Sequence, residues 1–364
     1  MPETIISADS HVTEPPNVFI DRIDPKYRDR APFVVKDDNM GEVYEIPGMK
    51  VPIFMGLIAA AGQDPSEMSI MKGRFEDLHP GGWDPNARLA EQDRDGIHAE
   101  VIYPTVGMQI CNHRDVDYKK ACMDAYNLWM AEYCAVHPDR LLGIGQTPLR
   151  SPEEGVQDLF KLKELGFKGV MLPGSPTYAD YDSPEYDDFW RACIELELPP
   201  SFHVLTTRDT SPVRGPRING FVRIIRANQD IMGVLIFSGV FDRVPELKVV
   251  CVEADAGWAP HYAYRMDHAY KRHGEWMSVK KLEKMPSDYF REHIYMTFQD
   301  DWIAFQMAEK LNVNRLMWAN DFPHSDSTWP WSQELLAEHT KDLSEHAIDR
   351  ILHDNVAELY NITV

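Results

Sequence analysis

Eight short apolar runs are spread along this chain, at residues 4–8, 100–103, 141–145, 169–172, 201–204, 247–253, 294–298 and 315–319. Runs of this length suit buried strands better than helices. Helical spacing recurs between them. Residues 87–94 follow Asp84 and Pro85, a capping residue and a first-turn proline. Residues 118–136 stop before Pro138, 152–165 close on Gly166, and further helical patterns cover 183–196, 221–241, 333–339 and 345–359. Alternating strands and helices build a parallel sheet, and eight units favour closure into a (β/α)8 TIM barrel of the α/β class. An open doubly wound sheet is the alternative, but no G-x-G-x-x-G follows any of the runs.

With 364 residues and 44% hydrophobic content, the chain can bury one large core. Residues 1–364 therefore read as a single barrel domain. Residues 12–83 are too rich in Pro and Gly, and too long, for a simple connection after the first strand. They are also too apolar for disorder, since Phe33, Val34, Val35, Val51, Ile53 and Phe54 call for burial. This stretch reads as an insertion with a small hairpin, folding as a lid over the barrel mouth.

Composition narrows the partners. A net charge of −21 argues against nucleic acid, which needs basic patches. No leader opens the chain and no apolar run approaches the ~18 residues of a membrane span. Five cysteines without a C-x-x-C pair suit a reducing, cytoplasmic setting.

Four of the runs end in residues able to hold a metal: Asp9-Ser10-His11, His203, Glu253 and Asp321. The carboxyl ends of parallel strands form the barrel mouth, where such folds place their chemistry. Asp9 and His11, two apart on an extended segment, point to one side. Alone, that pair could equally be a capping Asp beside a surface His. Asp321 ends an apolar strand in "WANDFPHSD", where an unpaired buried carboxylate would be costly. Together, Asp9, His11, His203 and Asp321 converge as candidate ligands of one divalent ion. His324 could donate to a substrate, orient Asp321, or make a loop hydrogen bond. Arg74 in the insertion could clamp a carboxylate with its two-pronged guanidinium. Trp258, with Trp83, Trp329 and Trp331, could wall an apolar pocket or pack in the core.

The D-x-H opening, the fifth-strand His, "LIFSGVFDRVPELKVV" and "NDFPHSD" resemble the amidohydrolase-related family. That family includes aminocarboxymuconate-semialdehyde decarboxylase and the γ-resorcylate and 5-carboxyvanillate decarboxylases, and the resemblance spans residues 5–321. It implies that Asp9, His11, His203 and Asp321 hold one zinc or manganese ion. It also implies that the reaction is non-oxidative decarboxylation of an aromatic or unsaturated carboxylic acid by a homodimer or homotetramer. Arg265 stands near an arginine that contacts the substrate carboxylate in the family; a surface ion pair is the other reading.

One residue departs from the pattern. The sixth strand of the decarboxylases ends in a His that acts as acid or base, and Glu253 occupies that position here. Beside a cation a carboxyl pKa falls, leaving Glu253 a base more readily than an acid. That favours the alternative, a hydrolase in which Glu253 or Asp321 takes a proton from metal-bound water to attack an amide, lactone or ester, or C–C bond. A barrel that only binds ligands is the third reading.

Overall fold

The computed structural model describes residues 2–69, 73–208 and 212–363. Eight parallel strands are hydrogen-bonded in chain order: β1 (Ile6–His11), β5 (Ala99–Tyr103), β6 (Leu141–Gln146), β7 (Gly169–Met171), β8 (Pro200–His203), β9 (Val249–Val252), β10 (Ile294–Phe298) and β11 (Leu316–Trp318). Helices on the outside connect them, as the spacing predicts. The helix Pro85–Asp95 starts with the Asp84 carboxylate accepting from the Asn86 and Ala87 amides. It ends at Gly96, whose φ of 70° is a left-handed conformation that Gly adopts without strain. Strand interiors are buried on both faces, which is why they read as continuous apolar runs rather than alternating ones.

The barrel closes between β1 and the residues following β11, and it does so with few backbone bonds. Asp321 donates its amide to Asp9 O (3.0 Å) and His11 donates to Phe322 O (2.7 Å). Side chains fill the rest of this seam. The Asn320 Oδ1 accepts from the Ser7 (3.0 Å) and Ser10 (2.9 Å) hydroxyls, while its Nδ2 donates to Asp95 and Glu100. Arg88, fully buried, pairs with Glu100 at 2.5 Å and donates to His11 O and Phe322 O on either side of the seam.

β1 extends three residues past the predicted 4–8, so Asp9 and His11 lie within the strand rather than after it. The pairing register with β5 shifts between Ser7 and Ser10, a local irregularity beside these two residues. The stretch after β1 holds a three-stranded antiparallel sheet, β2 (Phe33–Asp37), β3 (Gly41–Glu45) and β4 (Ile53–Phe54), one strand more than a hairpin. Within the stretch Tyr44 donates to Pro15 O (2.8 Å), and the stretch is tied to the turn after β11 by Ala61 donating to Pro323 O (3.0 Å) and packing with Phe322 and Trp329. No helix among the described residues is long and apolar enough to cross a membrane.

Candidate metal centre

Four barrel strands deliver titratable side chains to one point at the mouth. Asp9 and His11 come from β1, His203 from the end of β8, Glu253 from just beyond β9, and Asp321 and His324 from the turn after β11. Glu253 (φ 55°) and Asp321 (φ 54°) are both left-handed, a conformation that costs a non-glycine residue about 1 kcal/mol or more. That local strain sits at the two strand ends where a carboxylate is turned inward. Thr297 on β10 braces one of them, its hydroxyl accepting the Glu253 amide at 2.8 Å.

The distances describe a packed cluster. The His11 Nε2 stands 3.5 Å from Asp9 Oδ1, 3.6 Å from Glu253 Oε2 and 3.4 Å from Asp321 Oδ1. The His203 Nε2 stands 3.6 Å from Asp9 Oδ1 and 3.3 Å from Glu253 Oε2. Asp9, His11, His203 and Asp321 are inaccessible to solvent.

Tautomers follow from the other ring nitrogens. His11 Nδ1 lies 3.0 Å from the Pro104 carbonyl, and His203 Nδ1 lies 3.1 Å from the Val204 carbonyl. A carbonyl only accepts, so each Nδ1 carries the proton and each Nε2 presents a bare lone pair to the cluster. These lone pairs face carboxylate oxygens, which are acceptors too. Neither Nε2 has a hydrogen-bond partner among the described residues, and the same holds for both oxygens of Asp9 and Asp321 and for Glu253 Oε2. Acceptors packed against acceptors repel unless a cation lies between them.

The residues present therefore fit a divalent ion. Donors about 2.1 Å from a common centre would stand about 3.0–3.4 Å apart, close to the observed separations. Carboxylate with imidazole suits zinc and manganese alike. Protonation tells the same story: burial raises the Asp9, Glu253 and Asp321 carboxyls well above their ordinary range and lowers His11.

His324 is wired differently. The Thr105 hydroxyl donates to Val12 O (2.6 Å), so at its 2.9 Å contact with His324 Nε2 it accepts. The His324 Nδ1, 3.2 Å from Asp321 Oδ1, is then free to hold or release a proton toward the cluster. The ring stacks on His11 with centroids 3.8 Å apart, and burial lowers its pKa to about 4.

The family model described as Amidohydrolase matches residues 9–362. The chain belongs to the amidohydrolase family. Gamma-resorcylate decarboxylase of Rhodococcus jostii (strain RHA1) is 26% identical over 273 residues, covering 65% of this chain and 77% of that protein. Among solved structures, amidohydrolase map2389c from Mycobacterium avium subsp. paratuberculosis K-10 superposes with a TM-score of 0.80 at 22% identity, over 99% of this chain and 100% of that one. A 5-carboxyvanillate decarboxylase from Novosphingobium aromaticivorans, bound to manganese and 3-methoxy-4-hydroxy-5-nitrobenzoic acid, matches with a TM-score of 0.72 at 20% identity, over 98% and 97%. These structures share the barrel of this amidohydrolase-family chain.

Asp9, His11, His203, Glu253, Asp321 and His324 are thus brought together, and three sequence candidates are not. Arg74 is exposed and spends its guanidinium on Asp77 and Glu76, which leaves no open fork for a substrate. Arg265 is exposed on the helix Ala259–His273. The Trp258 indole donates to Ala254 O at 2.6 Å, so its polar edge is occupied by its own turn. Sequence reasoning missed Thr105, which fixes the orientation of His324, and Arg88, Glu100 and Asn320, which brace the seam. A charged residue within the apolar β5 was the available signal for Glu100, whereas Arg88 sits on a largely polar helix that offers none.

Proposed function

We propose that the chain is a metal-dependent, non-oxidative decarboxylase of an aromatic carboxylic acid. The observation that carries this is the solvent-shielded set of unpartnered imidazole and carboxylate donors, in a chain whose 26%-identical relative is a gamma-resorcylate decarboxylase. Asp9, His11, His203 and Asp321 would hold the ion. A bound divalent cation there would supply the positive charge that anchors a substrate carboxylate and a neighbouring oxygen.

The chain's own groups account for the proton. Glu253, whose carboxyl burial holds above its ordinary range, gives its proton to the bare His324 Nδ1, and the imidazolium so formed passes it to the ring carbon that bears the carboxylate. The C–C bond to that carboxylate then breaks, its electron pair returns to the ring, and carbon dioxide leaves. Thr105 holds His324 in the tautomer that presents Nδ1. Glu253 Oε2 borders the same space, and its partly exposed side chain takes a proton from water for the next cycle; His324 is among the charges that act on its carboxyl. General acid–base transfer of this kind contributes about 10²–10⁴-fold.

One observation favours a second reading. Glu253 places a carboxylate where a base could take a proton from water, which suits hydrolysis of an ester or amide. Incubating the manganese-loaded protein with a panel of hydroxybenzoates, aryl esters and aryl amides separates the two. Carbon dioxide release from an acid supports decarboxylation; ester or amide cleavage with no carbon dioxide from any acid overturns it. The five free cysteines suit a cytoplasmic setting, and exposed Tyr264, Trp276 and Met277 support a homo-oligomer, which sedimentation would measure.

A further inference from the structure

Glu14 is a buried acid that the proton route above does not use. It lies three residues beyond His11 and is fully inaccessible to solvent. A carboxylate sealed from water is expensive unless donors surround it. Here three consecutive backbone amides do so. Glu14 Oε1 accepts from Thr105 (3.1 Å) and Gly107 (3.1 Å), and Oε2 accepts from Val106 (3.0 Å). Burial pushes the carboxyl up to about 7, and the same three amides pull against that rise. The turn is tight at its far end: a Cβ on Gly107 would meet Gln146 Oε1 at 2.3 Å and Pro104 Cβ at 2.7 Å.

The clamped turn, residues 104–107 after β5, touches two imidazoles of the metal-binding cluster. Pro104 O lies 3.0 Å from His11 Nδ1, and Thr105 Oγ1 lies 2.9 Å from His324 Nε2. The Thr105 hydroxyl donates to Val12 O at 2.6 Å, and the Val12 amide donates to Tyr103 O at 3.2 Å. Thr105 is thus gripped twice, at its amide by Glu14 and at its hydroxyl by Val12. A hydroxyl has one proton to give, and that proton is spent on Val12 O. What remains is a lone pair of fixed direction, which takes the Nε2 proton of His324 and leaves Nδ1 bare toward Asp321.

We propose that Glu14 is the positioning residue for His324: by clamping the turn that carries Thr105, it fixes the ring orientation and the tautomer through which the proton moves. The inference deepens the decarboxylase reading and rests on the role given there to His324. Its first test needs no turnover.

The zinc-loaded protein, which is diamagnetic, is isotope-labelled at its histidine ring nitrogens, and the tautomers are read by NMR. The His324 signals are assigned by their loss in His324→Gln. In the wild type His324 is protonated on Nε2 alone. Glu14→Gln turns an amide donor toward the same backbone donors, and His324 then shows mixed tautomers; Thr105→Val gives the same change. His293 and His339, on other helices, keep their signals, so the change is local. Glu14→Asp keeps the charge but shortens the reach, shifts His324 in the same sense, and provides the readout if Glu14→Gln does not fold. With an acid that releases carbon dioxide, Glu14→Gln lowers kcat about tenfold or more and leaves KM within about twofold. Added to Thr105→Val it lowers kcat little further, because both substitutions act through one ring. An unchanged His324 tautomer in both Glu14 variants, or losses in kcat that multiply in Glu14→Gln/Thr105→Val, overturns the proposal. Failure of the decarboxylase reading alone looks different: the tautomer change is seen and no acid releases carbon dioxide.

Discussion

Replacing Arg88 with Met tests how the seam supports the candidate metal centre. The guanidinium is fully buried, 2.5 Å from Glu100, and lies over the Phe322 ring at 4.6 Å. Met fills much of its volume but leaves the Glu100 carboxylate buried and uncompensated. Removing one partner of a buried ion pair costs about 3–5 kcal/mol. A chain of 364 residues unfolds with an entropy of roughly 0.76 kcal/mol/K, taking about 2.1 cal/mol/K per residue, so the midpoint falls by about 4–7 °C. The Arg88→Met/Glu100→Met double variant removes the stranded charge and recovers at least half of that loss. Because Arg88 also donates to His11 O and Phe322 O, the single variant binds manganese more weakly in a chelator-buffered titration. Scanning calorimetry of the three proteins reads the stability terms. A single variant melting within about 1 °C of wild type, or a double variant no better than the single, would refute the reasoning.

Three further outcomes are expected. Asp321→Ala abolishes both manganese content and turnover, measured by elemental analysis and carbon dioxide release; retained stoichiometric manganese removes Asp321 from the ligand set. Glu253→Gln keeps the ion but slows turnover by about 100-fold or more, and unchanged rates would reduce Glu253 to a bracing role. Manganese affinity rises with pH. The folded protein holds the Asp9, Glu253 and Asp321 carboxyls above their ordinary values, so these groups bind protons that an ion must displace. For the metal-free protein the sign is set by the same shift: a carboxyl raised on folding stabilises the fold at low pH, and that contribution is lost as pH rises through the folded value. The gap between metal-loaded and metal-free melting temperatures therefore widens from mildly acidic toward neutral pH. A constant gap would contradict this account.

The barrel was legible in the chain because parallel strands covered on both faces appear as uninterrupted apolar runs. Asp9, His11, His203 and Asp321 were legible for the same reason, as polar residues at positions where such runs stop. Glu253 could be placed after its strand, but not aimed. Its direction is set by a left-handed φ that a glutamate rarely adopts, and nothing in the local pattern announces that. Arg74 and Arg265 were named for their residue type alone. That type suits carboxylate binding; nearby acids pair with Arg74, and Arg265 lies exposed on its helix.

The seam has a thermodynamic corollary. An ion clasped between Asp9 and Asp321 would tie together points about 300 residues apart, acting as a cross-link on the unfolded ensemble as well as a ligand of the native one. If that tie persisted on unfolding, chain-entropy arithmetic for a loop of this size gives about 6 kcal/mol. Loading the centre would then fasten the beginning of the polypeptide to its distant end, and chelation would release the whole hoop at its weakest join.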